Sequence, residues 1–254
     1  MPQILSLYRH PVKGLSPEEV TQARLEAGAY FPADRLYALE NGPSGFDPAA
    51  PVHQPKIKFL MLMRHEKLAR LTTRYEDAAH RLEIRQEGHV TASGDLREVA
   101  GRAAIERFFE NYMGDALLGP VRLLTSPPGF RFTDSRSGFV SILNRTTIDT
   151  IAREAFGKET LDPRRFRGNV VVEGLDAFVE NEWIDRKIRL GEVELEVVKR
   201  IRRCAATGVD PRTGIRDVEM VEGIMRRFGH PDCGIYARVT RGGVIRPGDQ
   251  LEAL

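Results

Sequence analysis

Short extended segments that end at Pro, Gly or Asn-Gly positions fill the first third of the chain. Each is six or seven residues of mixed apolar and polar character, as strands are. The predicted strands cover residues 3–9, 21–27, 34–40, 69–74 and 80–86, of which the last two suit the arms of a hairpin. Short strands joined by turns indicate antiparallel β structure.

Apolar residues recur at helical spacing in three places. The first predicted helix begins at Asp95, which we expect to be its N-cap, with Glu98 three residues on as the second half of a capping box. The second lies between Asn144 and Gly157, which are typical first and last boundaries of a helix. The third covers residues 218–228.

The second half of the chain also carries strand patterns. Val170-Val171-Val172 predicts a buried strand. Further strands are predicted over residues 187–190, 193–198, 235–240 and 250–253, the first two as a hairpin. The strands do not alternate regularly with helices, which argues against a parallel doubly wound sheet. We therefore predict a mainly β fold with α (α+β), built on partly closed barrels with about three helices.

The composition is that of an ordinary globular protein, since 41% of the 254 residues are hydrophobic. The 38 basic and 36 acidic residues nearly cancel, so no overall charge marks a nucleic-acid-binding protein. The most apolar run, residues 59–63, is too short to span a bilayer, and two cysteines cannot form a disulfide framework. We expect a soluble, cytoplasmic protein whose partners include neither a membrane nor nucleic acid.

Cys204 follows the basic segment Lys199-Arg200-Ile201-Arg202-Arg203 and precedes a tight turn over residues 209–214. Neighbouring cations stabilise a thiolate, the form that attacks electrophiles and binds soft metals. A small hydrophobic residue at the end of a solvated basic strand would give the same pattern, so both interpretations stay open at this point. Cys233 has Asp232 beside it and no adjacent Lys or Arg, which indicates a structural thiol.

Two further segments carry groups that bind anions. Arg164-Arg165-Phe166-Arg167-Gly168-Asn169 combines guanidinium groups, which pair with anionic oxygens, with an amide. Lys13 and Gly14 lie in a turn, where an ammonium and backbone amides can meet a phosphate, and Arg35 follows Asp34 further along. Either segment alone is also what a solvated loop contains. No H-E-x-x-H, G-x-G-x-x-G, P-loop or G-x-S-x-G motif is present.

These segments occur together in one family. The motifs are Tyr8-Arg9-His10-Pro11-Val12-Lys13, Asp34-Arg35, Phe166-Arg167-Gly168-Asn169-Val170-Val171, Arg203-Cys204 with Val209-Asp210-Pro211-Arg212-Thr213-Gly214, and Gly234-Ile235-Tyr236 with Arg246-Pro247-Gly248-Asp249. Along almost the full chain they resemble the MOSC-domain proteins, named for the C-terminal domain of molybdenum-cofactor sulfurase, and within them the amidoxime-reducing component group. The resemblance implies an N-terminal MOSC-associated β-barrel domain (residues 1–92), a connecting helix and linker (93–119) and a MOSC β-barrel domain (120–254).

The resemblance also implies a molybdenum cofactor, which is molybdopterin with bound molybdenum. Cys204 would be the protein ligand to the metal and the catalytic residue, while Lys13 and Arg35 would hold the pterin phosphate. The other implied cofactor contacts are Gly14, Asp134, Ser137, Arg167, Asn169, Arg202 and Arg203. A thiolate is a soft donor that suits this metal, and a phosphate requires cations.

Two positions depart from the family pattern. Gly14 stands where the family often has Ser, which leaves a backbone contact in place of a hydroxyl contact to the phosphate. The segment His53-Gln54-Pro55-Lys56 stands where the family commonly has Arg-x-x-Pro, a difference on the substrate side.

The leading hypothesis is a molybdenum-dependent oxidoreductase that reduces N-hydroxylated compounds such as amidoximes and hydroxylamines. Electrons would come from a separate flavin or iron–sulfur reductase, because we recognise no ligands for such a centre in this chain. One alternative is a sulfur carrier that holds a persulfide on Cys204. Another is a basic module that binds nucleic acid through residues 199–203, and the nearly neutral chain makes it the weakest of the three.

Overall fold

The protein is mainly β, with three α-helices, in the residues that this computed structural model describes, which are 1–135 and 139–254. The strands are β1 Gln3–Arg9, β2 Glu18–Val20, β3 Ala23–Leu25, β4 Tyr37–Leu39, β5 Leu71–Glu76, β6 Arg81–Gln86, β7 His89–Asp95, β8 Leu123–Thr125, β9 Val140–Asn144, β10 Val170–Glu173, β11 Lys187–Leu190, β12 Val193–Arg202, β13 Asp232–Arg241, β14 Gly243–Ile245 and β15 Leu251–Ala253. The helices are α1 Val99–Met113, α2 Arg145–Phe156 and α3 Met220–Phe228. None of the helices in these ranges is long and apolar enough to cross a membrane.

Eight strands form one sheet in the order β15-β11-β12-β13-β9-β10-β1-β2. Neighbouring strands are antiparallel except β9 and β10, which run parallel because α2 carries the chain back between them. β1 pairs with β10 in the register that sets Leu7 opposite Val170. The first strand of the chain therefore joins a sheet whose other members, apart from β2, come from residues beyond 139.

Hydrophobic residues cover both faces of this sheet. Ile142 and Val170 belong to the larger core, which also receives side chains from β3 and β12. Their neighbours Leu143 and Val171 point the other way, as alternation along a strand requires, and pack against α2 and α3. Because β3 pairs with β14, the two ends of the chain share one core. The division into residues 1–92, 93–119 and 120–254 stays a prediction.

A second, smaller unit lies in the first half of the chain. The three-stranded sheet β5-β6-β7 packs against α1, with Leu82 and Ile84 of the sheet in the same core as Ile105 and Phe109 of the helix. β4 pairs with β8, which brings the segment before the large sheet back to this unit.

The fold class predicted from the sequence is confirmed, and so are several of its elements. The side chain of Asn144 caps α2 by accepting a hydrogen bond from the Thr146 amide at 3.0 Å, and Gly157 ends the helix in the left-handed conformation at φ +62°. The predicted hairpin is present as β11 and β12, and β12 continues to Arg202.

The predicted start of the first helix is wrong. α1 begins at Val99, and the preceding Glu98 makes no side-chain cap. Asp95 cannot be the N-cap because it is the last residue of β7, where its carboxylate pairs with Arg97. Sequence patterns do not predict β2, β7, β8, β9 or β14. In β9 all five residues are buried, so buried and exposed positions do not alternate.

Gly234 in β13 offers a test of close packing at the end of the large sheet near Cys204. Its φ is +81°, and a Cβ there would lie 2.5 Å from the Ile142 carbonyl oxygen. Gly88 has φ +85° but faces open space, so Gly88→Ala introduces the backbone strain alone. We expect Gly234→Ala to lower the free energy of unfolding by about 3 kcal/mol and Gly88→Ala by about 1 kcal/mol. Urea unfolding measures both, and equal losses would contradict the steric account.

Candidate active site

One cavity of about 710 Å³ brings together most of the residues that the sequence singles out. It lies where turns at the ends of β1, β10 and β12 meet the loop before β9. Ser137 falls outside the described residues. The predicted site residues that line the cavity are Lys13, Gly14, Arg35, Asp134, Arg167, Asn169, Arg202, Arg203 and Cys204.

Lys13 supplies a buried ammonium group at one end of the cavity. Its Nζ donates a hydrogen bond to the Phe132 carbonyl at 3.0 Å and forms an ion pair with Asp134. Burial lowers the pKa of Lys13, against the opposing effect of Asp134. Burial alone would raise the pKa of Asp134, but the Lys13 charge outweighs it and lowers that pKa. The pair is therefore ionised, with the carboxylate still half exposed.

Gly14 is required by its backbone position. Its φ is +83°, and a Cβ would lie 2.5 Å from the Leu60 carbonyl oxygen. No side chain fits there without moving the backbone of the neighbouring segment. The Ser that the resemblance implies at this position therefore has no room in this chain.

Arg35 is held by a buried network with Asp34 and His10. The Asp34 carboxylate accepts a hydrogen bond from the His10 amide at 2.7 Å and pairs with the Arg35 guanidinium. Arg35 Nη1 lies 3.2 Å from His10 Nδ1. Although burial favours the neutral acid, Arg35 and the His10 hydrogen bond hold the pKa of Asp34 at about 2. Burial, and then the Arg35 and Arg167 charges, lower the pKa of His10 to about 3, so its imidazole is neutral.

Arg167 lies against Arg35 at the same end of the cavity. Both residues adopt left-handed backbone conformations, with φ +52° for Arg167 and +49° for Arg35, and Arg35 Nη2 donates to the Arg167 carbonyl at 3.0 Å. Arg167 Nη1 donates to the Leu15 carbonyl at 2.7 Å, whereas its Nη2 is buried with no hydrogen-bond partner among the described residues. Burial and the Arg35 charge lower the pKa of Arg167 to about 9. An unpaired buried donor next to a second cation has the chemistry of an anion-binding site.

Asn169 is already engaged within the protein. Its Oδ1 accepts hydrogen bonds from the Ser141 amide at 3.1 Å and the Ser141 hydroxyl at 2.8 Å. Its Nδ2 donates to the Tyr8 carbonyl at 3.2 Å. The side chain thus ties β9 to β1 behind the cavity wall, and one Nδ2 hydrogen is left for a ligand.

Cys204 is partly exposed and lies two residues beyond Arg202, the last residue of β12. Its carbonyl accepts hydrogen bonds from the amide and hydroxyl of Thr207, which fold the chain into a single 3-10 turn over Ala205–Gly208. Cys204 and Tyr236 line the same cavity, and burial raises the pKa of the Tyr236 phenol.

The two arginines before Cys204 have different surroundings. Arg203 is buried, with its Nε 2.7 Å from the Cys233 carbonyl and its Nη1 2.7 Å from the Phe166 carbonyl, and it stacks 5.3 Å from the Phe166 ring centroid. It therefore joins the end of β12 to β13 and to the turn before β10. Arg202 is exposed at the cavity. Cys233 is fully buried, which raises the pKa of its thiol to about 12, in agreement with a structural thiol.

Several functional contacts have no signal in the local sequence. Arg165 is buried and pairs with Asp210 at 2.8 Å and Asp217 at 2.7 Å, which closes the loop after Cys204. Arg216 donates to the Met63 carbonyl at 3.2 Å, so the same loop contacts the first half of the chain. The apolar run 59–63 is partly core, as predicted, but Met61 and Met63 also line the cavity. An alignment of related sequences, through positions that vary together, could have indicated that such distant residues are in contact.

The chain is similar to known proteins along most of its length. The family model of the MOSC domain matches residues 130–252, and that of the MOSC N-terminal beta barrel domain matches residues 1–114. Mitochondrial amidoxime reducing component 2 of Homo sapiens is 34% identical over 98 residues, which are 34% of this chain and 29% of that protein. Mitochondrial amidoxime-reducing component 1 of Mus musculus is 42% identical over 101 residues, 35% of this chain and 29% of the relative.

Two further comparisons concern a molybdenum cofactor sulfurase and a solved structure. Molybdenum cofactor sulfurase of Caenorhabditis elegans is 30% identical over 127 residues, 47% of this chain and 17% of that protein. The matched region thus spans less than a third of each of these curated relatives. Among solved structures, the YuaD protein from Bacillus subtilis superposes with a TM-score of 0.50 at 14% identity, over 100% of this chain and 96% of that one, which shows a shared fold.

His10 predicts how stability depends on pH. Its pKa is about 3 in the folded protein and 6.5 in an unfolded chain, so between these values the unfolded state binds the extra proton. Stability is therefore lost as the pH falls below about 6.5, by about 2 kcal/mol at pH 5. His10→Gln keeps a polar group near Arg35 but cannot take up the proton. Urea unfolding, followed by Trp183 fluorescence, should show that the variant loses less of its free energy of unfolding than the wild type when the pH falls from 7.5 to 5. Equal losses would show that His10 does not titrate on unfolding.

Proposed function

Because the chain belongs to the MOSC-domain family, we propose that its cavity binds a molybdenum cofactor and that the protein is a molybdenum-dependent oxidoreductase. The substrates would be N-hydroxylated compounds such as amidoximes, hydroxylamines and N-hydroxylated bases. Relatives of this chain carry the name amidoxime reducing component, which supports this class of reaction. The cytoplasmic location expected from the sequence stays a prediction.

The observation that carries the proposal is the buried Nη2 of Arg167, which has no partner within the described residues. An unsatisfied buried donor costs free energy, and here it lies beside a second guanidinium of like charge. A phosphate oxygen would satisfy the donor and relieve the repulsion between Arg35 and Arg167. Lys13 lies at the same end of the cavity, so we assign the phosphate of the pterin to these three cations.

Cys204 suits the metal end of the cofactor. Its side chain is accessible from the cavity, whereas Cys233 is fully buried with a raised pKa. A thiolate is a soft ligand that matches molybdenum. Asn169, Asp134, Arg202 and the backbone of Gly14 would line the pterin between the two ends, while Arg203 would support the wall behind it.

When bound, the cofactor would supply two-electron chemistry at the N–O bond. In the overall reaction R–NH–OH, two electrons and two protons give R–NH2 and water. The chain's part is to bind and orient the reactants, with Met61 and Met63 offering an apolar wall for the organic part of the substrate. Electrons would come from a separate flavin or iron–sulfur reductase.

Cys204→Ser tests the metal ligand. We expect protein made in a cofactor-competent host to contain about one molybdenum per chain, and the variant to lose most of it because a serine hydroxyl is a poorer, harder donor. Cys233→Ala is the matched control, since it removes the other thiol from a buried site. Metal analysis and pterin fluorescence of the purified proteins give the result. Wild-type protein that is saturated with pterin yet free of molybdenum would contradict the proposal.

Arg167→Gln tests the anion end. Without a phosphate the Arg167 charge is buried and repelled, so we expect the variant's free energy of unfolding in the cofactor-free state to stay equal or rise. The pterin content of Arg167→Gln purified from a cofactor-competent host should fall at least tenfold. Arg203→Gln is the contrast, because that guanidinium is satisfied by the Cys233 and Phe166 carbonyls and its loss should cost about 2 kcal/mol of stability. Full pterin content in Arg167→Gln would contradict the assignment.

A sulfur carrier with a persulfide on Cys204 is the second candidate function. The partly exposed thiol in a cationic cavity favours it, because the same cations would stabilise a persulfide anion. A relative named molybdenum cofactor sulfurase matches 47% of the chain. Intact-mass measurement before and after a reductant separates the two, since one extra sulfur on Cys204 without any pterin supports the carrier.

A further inference from the structure

The cavity contains more positive charge than a single phosphate can balance. Among the described residues that line it, nine are Lys or Arg and two, Asp34 and Asp134, are acidic. Asp34 pairs with Arg35 and Asp134 with Lys13, so neither is left for the other cations. A cofactor phosphate carries about two negative charges at neutral pH.

Five of the nine cations already have a role. Lys13, Arg35 and Arg167 form the anion end described above. Arg165 is neutralised by Asp210 and Asp217, and Arg203 donates to backbone carbonyls. The remaining four are Lys56, Lys199, Arg200 and Arg202.

All four, here called the cationic rim, line the same cavity as Cys204. Lys199, Arg200 and Arg202 belong to the end of β12 that leads toward the cysteine, and all three are exposed. The Lys199 ammonium lies 5.7 Å from the ring centroid of Tyr236, which also lines the cavity. Arg200 Nε donates to the Asn181 carbonyl at 3.0 Å, which fixes its guanidinium. Lys56 lies in the part of the cavity where its charge acts on Asp134.

None of the four makes an ion pair with a carboxylate in the described ranges, although carboxylates neutralise three other cations of the same cavity. A cluster of unneutralised cations raises the local concentration of anions and speeds their association. Met61 and Met63 add apolar side chains to the lining of the cavity. The site thus combines an apolar surface with a cationic rim next to the reactive thiol.

We propose, on the basis of the function given above, that the substrate is an N-hydroxylated compound with an anionic oxygen group, a carboxylate or a phosphate. The N–O group would enter toward Cys204, the organic part would contact Met61 and Met63, and Lys199 with Arg200 would bind the anionic group. The cationic rim thereby selects among N-hydroxylated compounds by charge. Arg200, whose planar fork is held by Asn181, is the principal specificity residue.

The test compares three probes that share one reacting group: benzamidoxime, its para-carboxylate and its para-phosphonate. Cofactor-loaded protein is assayed with reduced methyl viologen as the electron source, so no protein donor is needed. We expect kcat/KM at least tenfold higher for an anionic probe than for the neutral one at low salt, with the ratio falling as salt rises. The better of the two anionic probes identifies the anionic group.

Lys199→Gln/Arg200→Gln should lower the ratio of anionic to neutral kcat/KM about tenfold. Arg226→Gln removes an exposed charge from α3, outside the cavity, and should keep the wild-type ratio. A wild-type ratio near one, with the neutral probe reduced, overturns the charge selection and leaves the proposed function standing. Reduction of no probe by metal-loaded protein overturns both.

The mass of the released cofactor gives an independent check. A plain pterin phosphate agrees with the proposal, because it leaves the rim cations for the substrate. A cofactor extended by a nucleotide would assign the rim cations to its second phosphate and overturn the proposal.

Discussion

The guanidinium of Arg167 is buried close to the partly buried Arg35, and burial together with the like charge of Arg35 lowers the pKa of Arg167. Both residues hold left-handed backbone conformations that cost free energy, and Arg35 donates to the Arg167 carbonyl. Asp34 balances one charge, and the neutral imidazole of His10 adds no further one. One donor of Arg167 stays unsatisfied. An anion bound there would satisfy this donor and relieve the repulsion between the two arginines.

The large sheet makes this arrangement possible. Lys13 and Arg35 come from the first part of the chain and Arg167 from the turn before β10, yet the pairing of β1 with β10 brings these turns to one place. Arginines that are neighbours in the sequence then make different contacts. Arg203 donates to backbone carbonyls and supports the wall, whereas Arg202, its neighbour, faces the cavity opening.

Charge therefore divides the cavity into two regions. At one end, Lys13 and Arg167 are buried and nearby carboxylates balance part of their charge, which would suit a firmly bound dianion such as the pterin phosphate. Lys199 and Arg200 are exposed and have no carboxylate partners in the described chain, which would suit the anionic substrate proposed above. Cys204 follows the same strand, as expected of a residue that would bind the metal and face the substrate under the proposed function.

Local patterns in the sequence determined the fold class, the boundaries of α2 and the β11–β12 hairpin, because caps and turns act between residues only a few positions apart. The family resemblance indicated nine of the residues that line the cavity, Cys204 among them. The wrong start of α1 and the unpredicted β9 have one cause, which is that strand pairing with distant residues outweighs local preference. Only the tertiary structure decided which groups are buried and what they contact. Arg165 pairs with Asp217 fifty-two residues away, and the Cβ that Gly14 lacks would meet Leu60. Such partners depend on how the whole chain packs, so no short segment encodes them.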